Sequence, residues 1–210
     1  EHRKVDALIE IPLGSRNKYE LDKATGRIRL DRVLYAAMIY PAEYGILENT
    51  LAPDGDALDI LVICSDPTFP GCTVPARVLG YLDMVDGGKL DYKLIAVVDC
   101  DPRYDSVREL EDLSPFVLKE IANFFANYKV LQNVTVEVGD YHGREEALEI
   151  IRRCRRDHPE AIIGVCGCYS QHAQEAVEAL EVDVISGSAG REAFLDMMLS
   201  ALEDKRRRSS

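Results

Sequence analysis

Long apolar runs are missing from this 210-residue chain, and no stretch approaches the roughly 20 residues that a membrane-crossing helix requires. Basic residues are also in deficit: 25 Lys and Arg stand against 37 Asp and Glu, a formal charge of -12. A surface of that sign repels phosphate at long range, which argues against nucleic acid and anionic membrane as partners. No signal-peptide pattern opens the chain, and no internal repeat divides it. Without a secretory signal, the six cysteines (Cys64, Cys72, Cys100, Cys154, Cys166 and Cys168) read as cytosolic thiols rather than as a disulfide framework. The cytoplasm is the expected compartment.

What is present is ordinary globular material, 47% hydrophobic and 30% charged, in a length that suits one medium domain with an appendage. The acid is unevenly placed: residues 1–150 hold 27 Asp and Glu against 16 Lys and Arg, whereas residues 151–210 hold ten against nine. Up to about residue 100 the chain reads as short strands between Pro, Gly, Asn and Asp breaks: 7–11, 18–22, 28–32, 60–64, 73–84 and 93–98. The expectation is a small antiparallel sheet or barrel. Phe116, Ile121, Phe124, Phe125 and Tyr128 then recur at helical spacing behind Ser114 as N-cap and Pro115 in the first turn. A strand over 135–138 and a helix from Arg144 to about Arg156 follow. Beyond Pro159 the texture becomes a βαβα alternation, with strands at 162–166 and 182–186 and helices at 174–180 and 191–202.

The densest chemical signal is Asp54-Gly55-Asp56-Ala57-Leu58-Asp59, three carboxylates in six residues ahead of an apolar strand. A glycine at the apex of a turn lets Asp54 and Asp56 point to one side, with Asp59 converging from the strand. Like charges so close repel, so a positive group is expected among them, and a hard divalent cation suits the oxygen donors. A D-G-D by itself is more often only a polar turn, and it lacks the spacing and closing Glu of a calcium loop. A second pair, Asp86 and Asp91, brackets Gly87-Gly88 ahead of Lys93. Should both turns meet at one mouth of a barrel, five aspartates share a site, which is enough for two or more Mg2+ ions. Lys18, Arg32, Arg77, Lys93 and Lys129, with the phenols of Tyr40, Tyr44 and Tyr128, supply the cations and hydroxyls that a bound polyphosphate needs.

Taken with their order, these residues resemble the family I (soluble) inorganic pyrophosphatases. The resemblance runs from about residue 7 to about 153 through Glu10-Ile11-Pro12, Lys18-Tyr19-Glu20, Asp31-Arg32, Tyr40-Pro41, Tyr44-Gly45, the D-G-D-A-L-D segment, Asp86 to Lys93, and Phe124-Phe125 to Tyr128-Lys129. It implies an α+β fold: a five-stranded, OB-like β-barrel with flanking helices over residues 1–153. It also implies diphosphate as substrate, Mg2+ as cofactor and a homo-oligomer, a hexamer, as assembly. Carried over by position, Asp54, Asp59 and Asp91 hold the first activating metal, and Asp59 is shared with the second. Glu10, Asp86 and Asp91 hold those arriving with substrate. Asp56 takes the proton of the water bridging the activating metals. Lys18, Arg32, Lys93, Tyr128 and Lys129 bind phosphate oxygens, while Glu20, Tyr40 and Tyr44 complete the pocket. Three positions depart from the usual pattern: Ala57 for proline or glutamate, Glu43 for asparagine, and Gly87 for an acidic residue. None removes a named ligand.

Residues 154–210 resemble the second half of the N-terminal domain of the radical-SAM tRNA methylthiotransferases, through the stretch from Pro159 to Gln171 and Val182-Asp183-Val184-Ile185-Ser186-Gly187. Cys168 matches one of that family's three auxiliary-cluster cysteines. The other two, and the radical-SAM triplet, have no counterpart here. Two thiols in a C-x-C are fewer than an iron-sulfur cluster takes, so a passenger segment, a partial α/β appendage, is expected. Two competing readings are a related Mg2+ phosphohydrolase for nucleotides or polyphosphates, and a non-catalytic scaffold that displays the appended segment.

Overall fold

The structure, a computed structural model, describes residues 4–22, 24–155, 164–166, 184–186 and 196–201. The chain divides into two compact units, Glu1–Asp157 and His158–Ser210. In the first, strands β1 (Lys4–Ile11), β2 (Asn17–Asp22), β3 (Arg27–Val33), β4 (Glu43–Leu47), β5 (Leu58–Ile63), β6 (Thr73–Asp86) and β7 (Lys89–Val98) precede helix α1 (Pro115–Asn127). Strand β8 (Val136–Gly143) and helix α2 (Arg144–Cys154) complete it. The order in the main sheet is β1-β4-β5-β7-β6-β8, and β1 also pairs with β6. Strands β1, β4, β5, β7 and β6 therefore form a closed ring that leaves none of the five an unpaired edge, and β8 lies outside it. β2 and β3 form a separate hairpin.

One pairing departs from the expected antiparallel pattern: β5 and β7 run parallel, with Asp59 opposite Lys93 and Ile63 opposite Val97. Chain connectivity places β6 between them in sequence, and β6 folds back on β7 instead through a tight turn at Gly87 and Gly88. Both glycines have positive φ, 57° and 84°, as a two-residue hairpin turn of the I′ type demands. The strand β4 did not stand out in the sequence, and Gly45 inside it explains both its weak signal and its need: a Cβ there would collide with the backbone of Leu8 on β1.

Alternation along the ring strands sorts side chains into two cores. Leu58, Ile60 and Val62 of β5 join Leu94, Ala96 and Val98 of β7 in one, which α2 covers with Ala147, Leu148, Ile150 and Ile151. Leu61, Ile95 and Val97, on the opposite phase, join Ile121, Phe124 and Phe125 of α1 in the other. The N-cap of α1 is Ser114, whose hydroxyl accepts from the Phe116 amide, and Pro115 occupies the first turn. Burying each of the three α1 side chains contributes about 1.5–3 kcal/mol. Phe116, expected on the same apolar stripe, is instead 72% exposed, because Ile121, Phe124 and Phe125 define the buried face one turn further on. The α1-side phase of the strands carries the functional interest. Counting back from Val97 and Ile95 along β7 it reaches Lys93 and Asp91, and counting back from Leu61 along β5 it reaches Asp59. The core on that side therefore ends in charge.

In the second unit, β9 (Gly164–Cys166) and β10 (Val184–Ser186) pair in parallel and residues 196–201 are helical. The expected helix at 174–180, half of that at 191–202, and Cys168 lie outside the described residues. No helix among the described residues is long and apolar enough to cross a membrane.

Candidate active site

Where the α1-side core ends in charge, a cavity of about 320 Å³ opens. The Asp54-Gly55-Asp56 turn forms one wall. Gly55 adopts φ +98°, and the Asp54 carboxylate accepts from the Asp56 amide at 3.0 Å, so the turn is held by its own side chain. Asp59 enters from β5, Asp91 and Lys93 from β7, Asp86 from the end of β6, and Glu10 from β1. Lys18 and Glu20 on β2 face the same space, as do Tyr44 on β4 and Tyr128 and Lys129 after α1. The two aspartate turns do meet at one opening.

Charge is balanced pair by pair within this wall. The Lys93 ammonium lies 2.5 Å from Asp59, 2.8 Å from Asp91 and 3.1 Å from the Tyr44 hydroxyl. Burial works against that ammonium, but Asp59 and Asp91 outweigh it and hold its pKa above the ordinary lysine value. Burial raises Asp91 above the usual aspartate range, with Lys93 pulling the other way and the charges of Asp59 and Asp54 adding to the rise. Burial likewise raises Glu10, against the Leu21 amide that donates to it at 2.7 Å. Lys129 pairs with Asp86, which also accepts from the Tyr128 hydroxyl at 3.4 Å. Lys18 pairs with Glu20.

Three of the sequence candidates stand apart from the cavity wall. Tyr40 is buried beneath it, its ring 5.4 Å from that of Tyr44 and 4.8 Å from that of Phe124, so it backs the wall without facing the opening. Arg32 is part-exposed on the β2–β3 hairpin and donates to Asp31 at 2.6 Å and Gln132 at 3.1 Å. Arg77, counted among the cations for phosphate, is a correction. Its side chain points away from the cavity and is spent on Asp99 at 2.5 Å and on the carbonyls of Tyr104 and Val107.

Asp31 was given no task in the sequence reading. Lys18 and Arg32 are direct cross-strand neighbours, and such a like-charged pair is destabilising without a partner. Asp31 supplies it, 3.5 Å from Lys18 and 2.6 Å from Arg32, and the Arg32 hydrogen bond foremost keeps its carboxyl below the usual aspartate range. Facing cations on a hairpin were the available signal. Glu43, one of the three departures, is fully buried outside the cavity and accepts from the Leu13 amide, the Thr68 amide and the Thr68 hydroxyl at 3.1, 2.8 and 2.6 Å.

Seven carboxylates on one cavity offer the hard oxygens that a divalent cation prefers. Among the described residues, however, no three His, Cys, Asp or Glu side chains already stand as ligands about one point. The donor chemistry fits a cation, and Lys93 occupies the position between Asp59 and Asp91. Carboxylates that can take cations stand beside ammonium and phenol groups that can take phosphate oxygens, a combination suited to a phosphate-bearing anion and its counter-ions.

Comparisons with known proteins agree. The profile of the inorganic pyrophosphatase family matches residues 7–158. The inorganic pyrophosphatase of Geobacillus stearothermophilus is 58% identical over 154 residues, 73% of this chain and 93% of that one. That of Synechocystis is 46% identical over 73% of this chain and 91% of its own. Among solved structures, the Thermus thermophilus inorganic pyrophosphatase aligns with a TM-score of 0.71 and 44% identity, covering 72% of this chain and 89% of that chain. The chain belongs to the family I inorganic pyrophosphatases, metal-dependent hydrolases of diphosphate.

Proposed function

We propose that diphosphate is bound and cleaved in the cavity between the Asp54–Asp59 turn and the β6–β7 hairpin, with Mg2+ as the metal. The observation that carries this is the meeting of Glu10, Asp54, Asp56, Asp59, Asp86 and Asp91 with Lys18, Lys93, Lys129 and Tyr128 on one wall. Asp54, Asp59 and Asp91 would hold the first cation, and Glu10, Asp86 and Asp91 those that accompany substrate. Bound Mg2+ would supply positive charge that makes water a better nucleophile and offsets the charge of the departing phosphate.

Asp56 accepts the proton of the attacking water. The water oxygen forms a bond to one phosphorus as the bridging P–O bond breaks, and the bridging oxygen leaves with the second phosphate. Lys18, Lys93, Lys129 and the Tyr128 hydroxyl orient the phosphate oxygens and stabilise the charge that builds on them. Burial pushes the Tyr128 and Tyr44 phenols well above their ordinary pKa, so both stay protonated and able to donate. Arg32 would reach phosphate from the hairpin only by leaving Asp31 and Gln132, Glu20 steadies Lys18, and Tyr40 supports Tyr44 from behind. The closed ring of strands supports an OB-like barrel as the scaffold.

The protein is read as a cytoplasmic homo-oligomer, a hexamer, with residues 154–210 a methylthiotransferase-like passenger. Phosphate release from diphosphate, with and without Mg2+, tests the core of the proposal. Mg2+-dependent release is expected with diphosphate preferred over tripolyphosphate and nucleotides. Faster release from a nucleotide would favour the broader phosphohydrolase.

A further inference from the structure

We propose that Lys93 is a tethered counter-cation that competes with divalent metal for Asp59 and Asp91, so that metal loading and the freeing of its ammonium for phosphate are one coupled event. The inference rests on the reading of Asp59 and Asp91 as metal ligands. It adds a reason why the donors of this cavity are gathered yet do not stand as a ligand set.

The three hydrogen-bonding directions of the Lys93 ammonium are committed to Asp59 at 2.5 Å, Asp91 at 2.8 Å and the Tyr44 hydroxyl at 3.1 Å. Its side chain is 4% exposed, so little of the ammonium is left to water while the three partners hold it. A phosphate oxygen gains this donor only when a carboxylate gives it up, and a carboxylate gives it up at low cost only when another cation arrives. The same economy holds at the neighbouring hairpin, where Lys129 pairs with Asp86. Lysine suits the exchange because its charge rides on a flexible stem and demands no planar, bidentate fit. The rings of Tyr44 and Phe125, with centroids 5.6 and 5.8 Å from the ammonium, keep its surroundings favourable to charge while it changes partners.

The consequence is counter-intuitive for a residue that helps the reaction. Two carboxylates and one ammonium present a net single negative charge to an entering metal, and removing the ammonium presents two. Lys93→Met should therefore bind Mg2+ more tightly than wild type while turning over substrate more slowly. One unit charge a few Å away in a partly dry cleft corresponds to a gain of about tenfold or more in affinity.

Calorimetric titration of the full chain with Mg2+, without substrate, reads this directly. Lys93→Met should tighten binding about tenfold or more, Lys93→Arg should leave it near wild type, and Asp59→Asn and Asp91→Asn should weaken it. Melting curves cover a Met variant that folds poorly without metal, since Mg2+ should then raise its Tm by more than it raises that of wild type. Equal or weaker Mg2+ binding by the Met variant, or a Tm rise no larger than wild type, overturns the counter-cation role while leaving the metal site intact. Unchanged Mg2+ affinity in both Asn variants overturns the ligand reading itself.

Discussion

Arg77 and Lys93 are both buried cations on neighbouring strands β6 and β7, with side chains 7% and 4% exposed, and both pair with aspartate at 2.5 Å. Nothing in charge, burial or ion-pair length separates them. What differs is the remainder of each partner's surroundings. Arg77 spends its fork on Asp99 and on the Tyr104 and Val107 carbonyls, and Asp99 is shared further with Lys4 at 2.6 Å. Each nitrogen of that fork has a protein partner, and the pair stitches the loop after β7 to the sheet. Lys93 shares carboxylates that also line an open cavity, so its partners can exchange it for something else. A buried ion pair points to function where its partners keep access to a ligand, and to structure where they do not.

The comparison breaks first at Arg77. Arg77→Ala leaves two carbonyls and part of Asp99 without a donor inside the fold, and should cost about 3–5 kcal/mol of stability. Denaturant melts check this, with turnover per folded molecule unchanged below the transition. A large loss of turnover in the folded variant would show that Arg77 serves the reaction after all.

On the cavity side, Lys129→Ala should lower turnover about 10–100-fold with little change in Mg2+ affinity measured without substrate, because its partner Asp86 is read as a ligand only of the metals that arrive with substrate. Arg32→Ala should do the same more weakly, since Arg32 is already shared between Asp31 and Gln132. A collapse of Mg2+ affinity in either would move that residue to the metal's support.

Acid sharpens the contrast further. Asp99 is held below its ordinary value of 3.8, first by the Lys4 hydrogen bond and then by Arg77. The unfolded chain therefore binds the proton at higher pH than the folded one, so the stabilisation is complete above 3.8 and lost as pH falls through the lowered value. Asp91 is raised by burial, which acts in the opposite sense: its charged form costs the folded state, and that cost grows as pH rises past 3.8. Tm measured against pH should fall below about 3.8 less steeply in Arg77→Met than in wild type. The smallest expected effect is that of residues 157–210. A chain ending at Arg156 should keep its turnover, because every residue assigned to metal or phosphate lies between Glu10 and Lys129. A stably folded but inactive truncation would give the second unit a part in the reaction.

Local features of this architecture were legible where they depend on local chemistry. The glycine turns, the Ser114-Pro115 start of α1 and the clustering of Asp54, Asp56 and Asp59 are set by neighbours in sequence, and the strands around them follow from alternation. Glu10 and Glu20 came from an ordered resemblance, since nothing local links either to the aspartate turns. Three things were hidden. The parallel pairing of β5 with β7 depends on chain path, β4 carries a glycine where alternation would be read, and Arg77 looks like Lys93 until the loop after β7 closes over it. Glu43 shows the same limit: in sequence it is only a departure beside Tyr44, and the structure gives it three donors from two loops.

The central claim is that the chemistry takes place at the Asp54–Asp59 turn with Asp56 as the proton acceptor, and Asp56→Asn tests it most directly. Turnover of diphosphate at saturating Mg2+ should be measured beside Mg2+ affinity and Tm in the same preparation. The amide preserves shape and can still hydrogen bond, but it cannot take a proton, so turnover should fall by about 10²-fold or more while the fold and the metal remain. Turnover near wild type in a folded, Mg2+-binding variant would contradict the assignment.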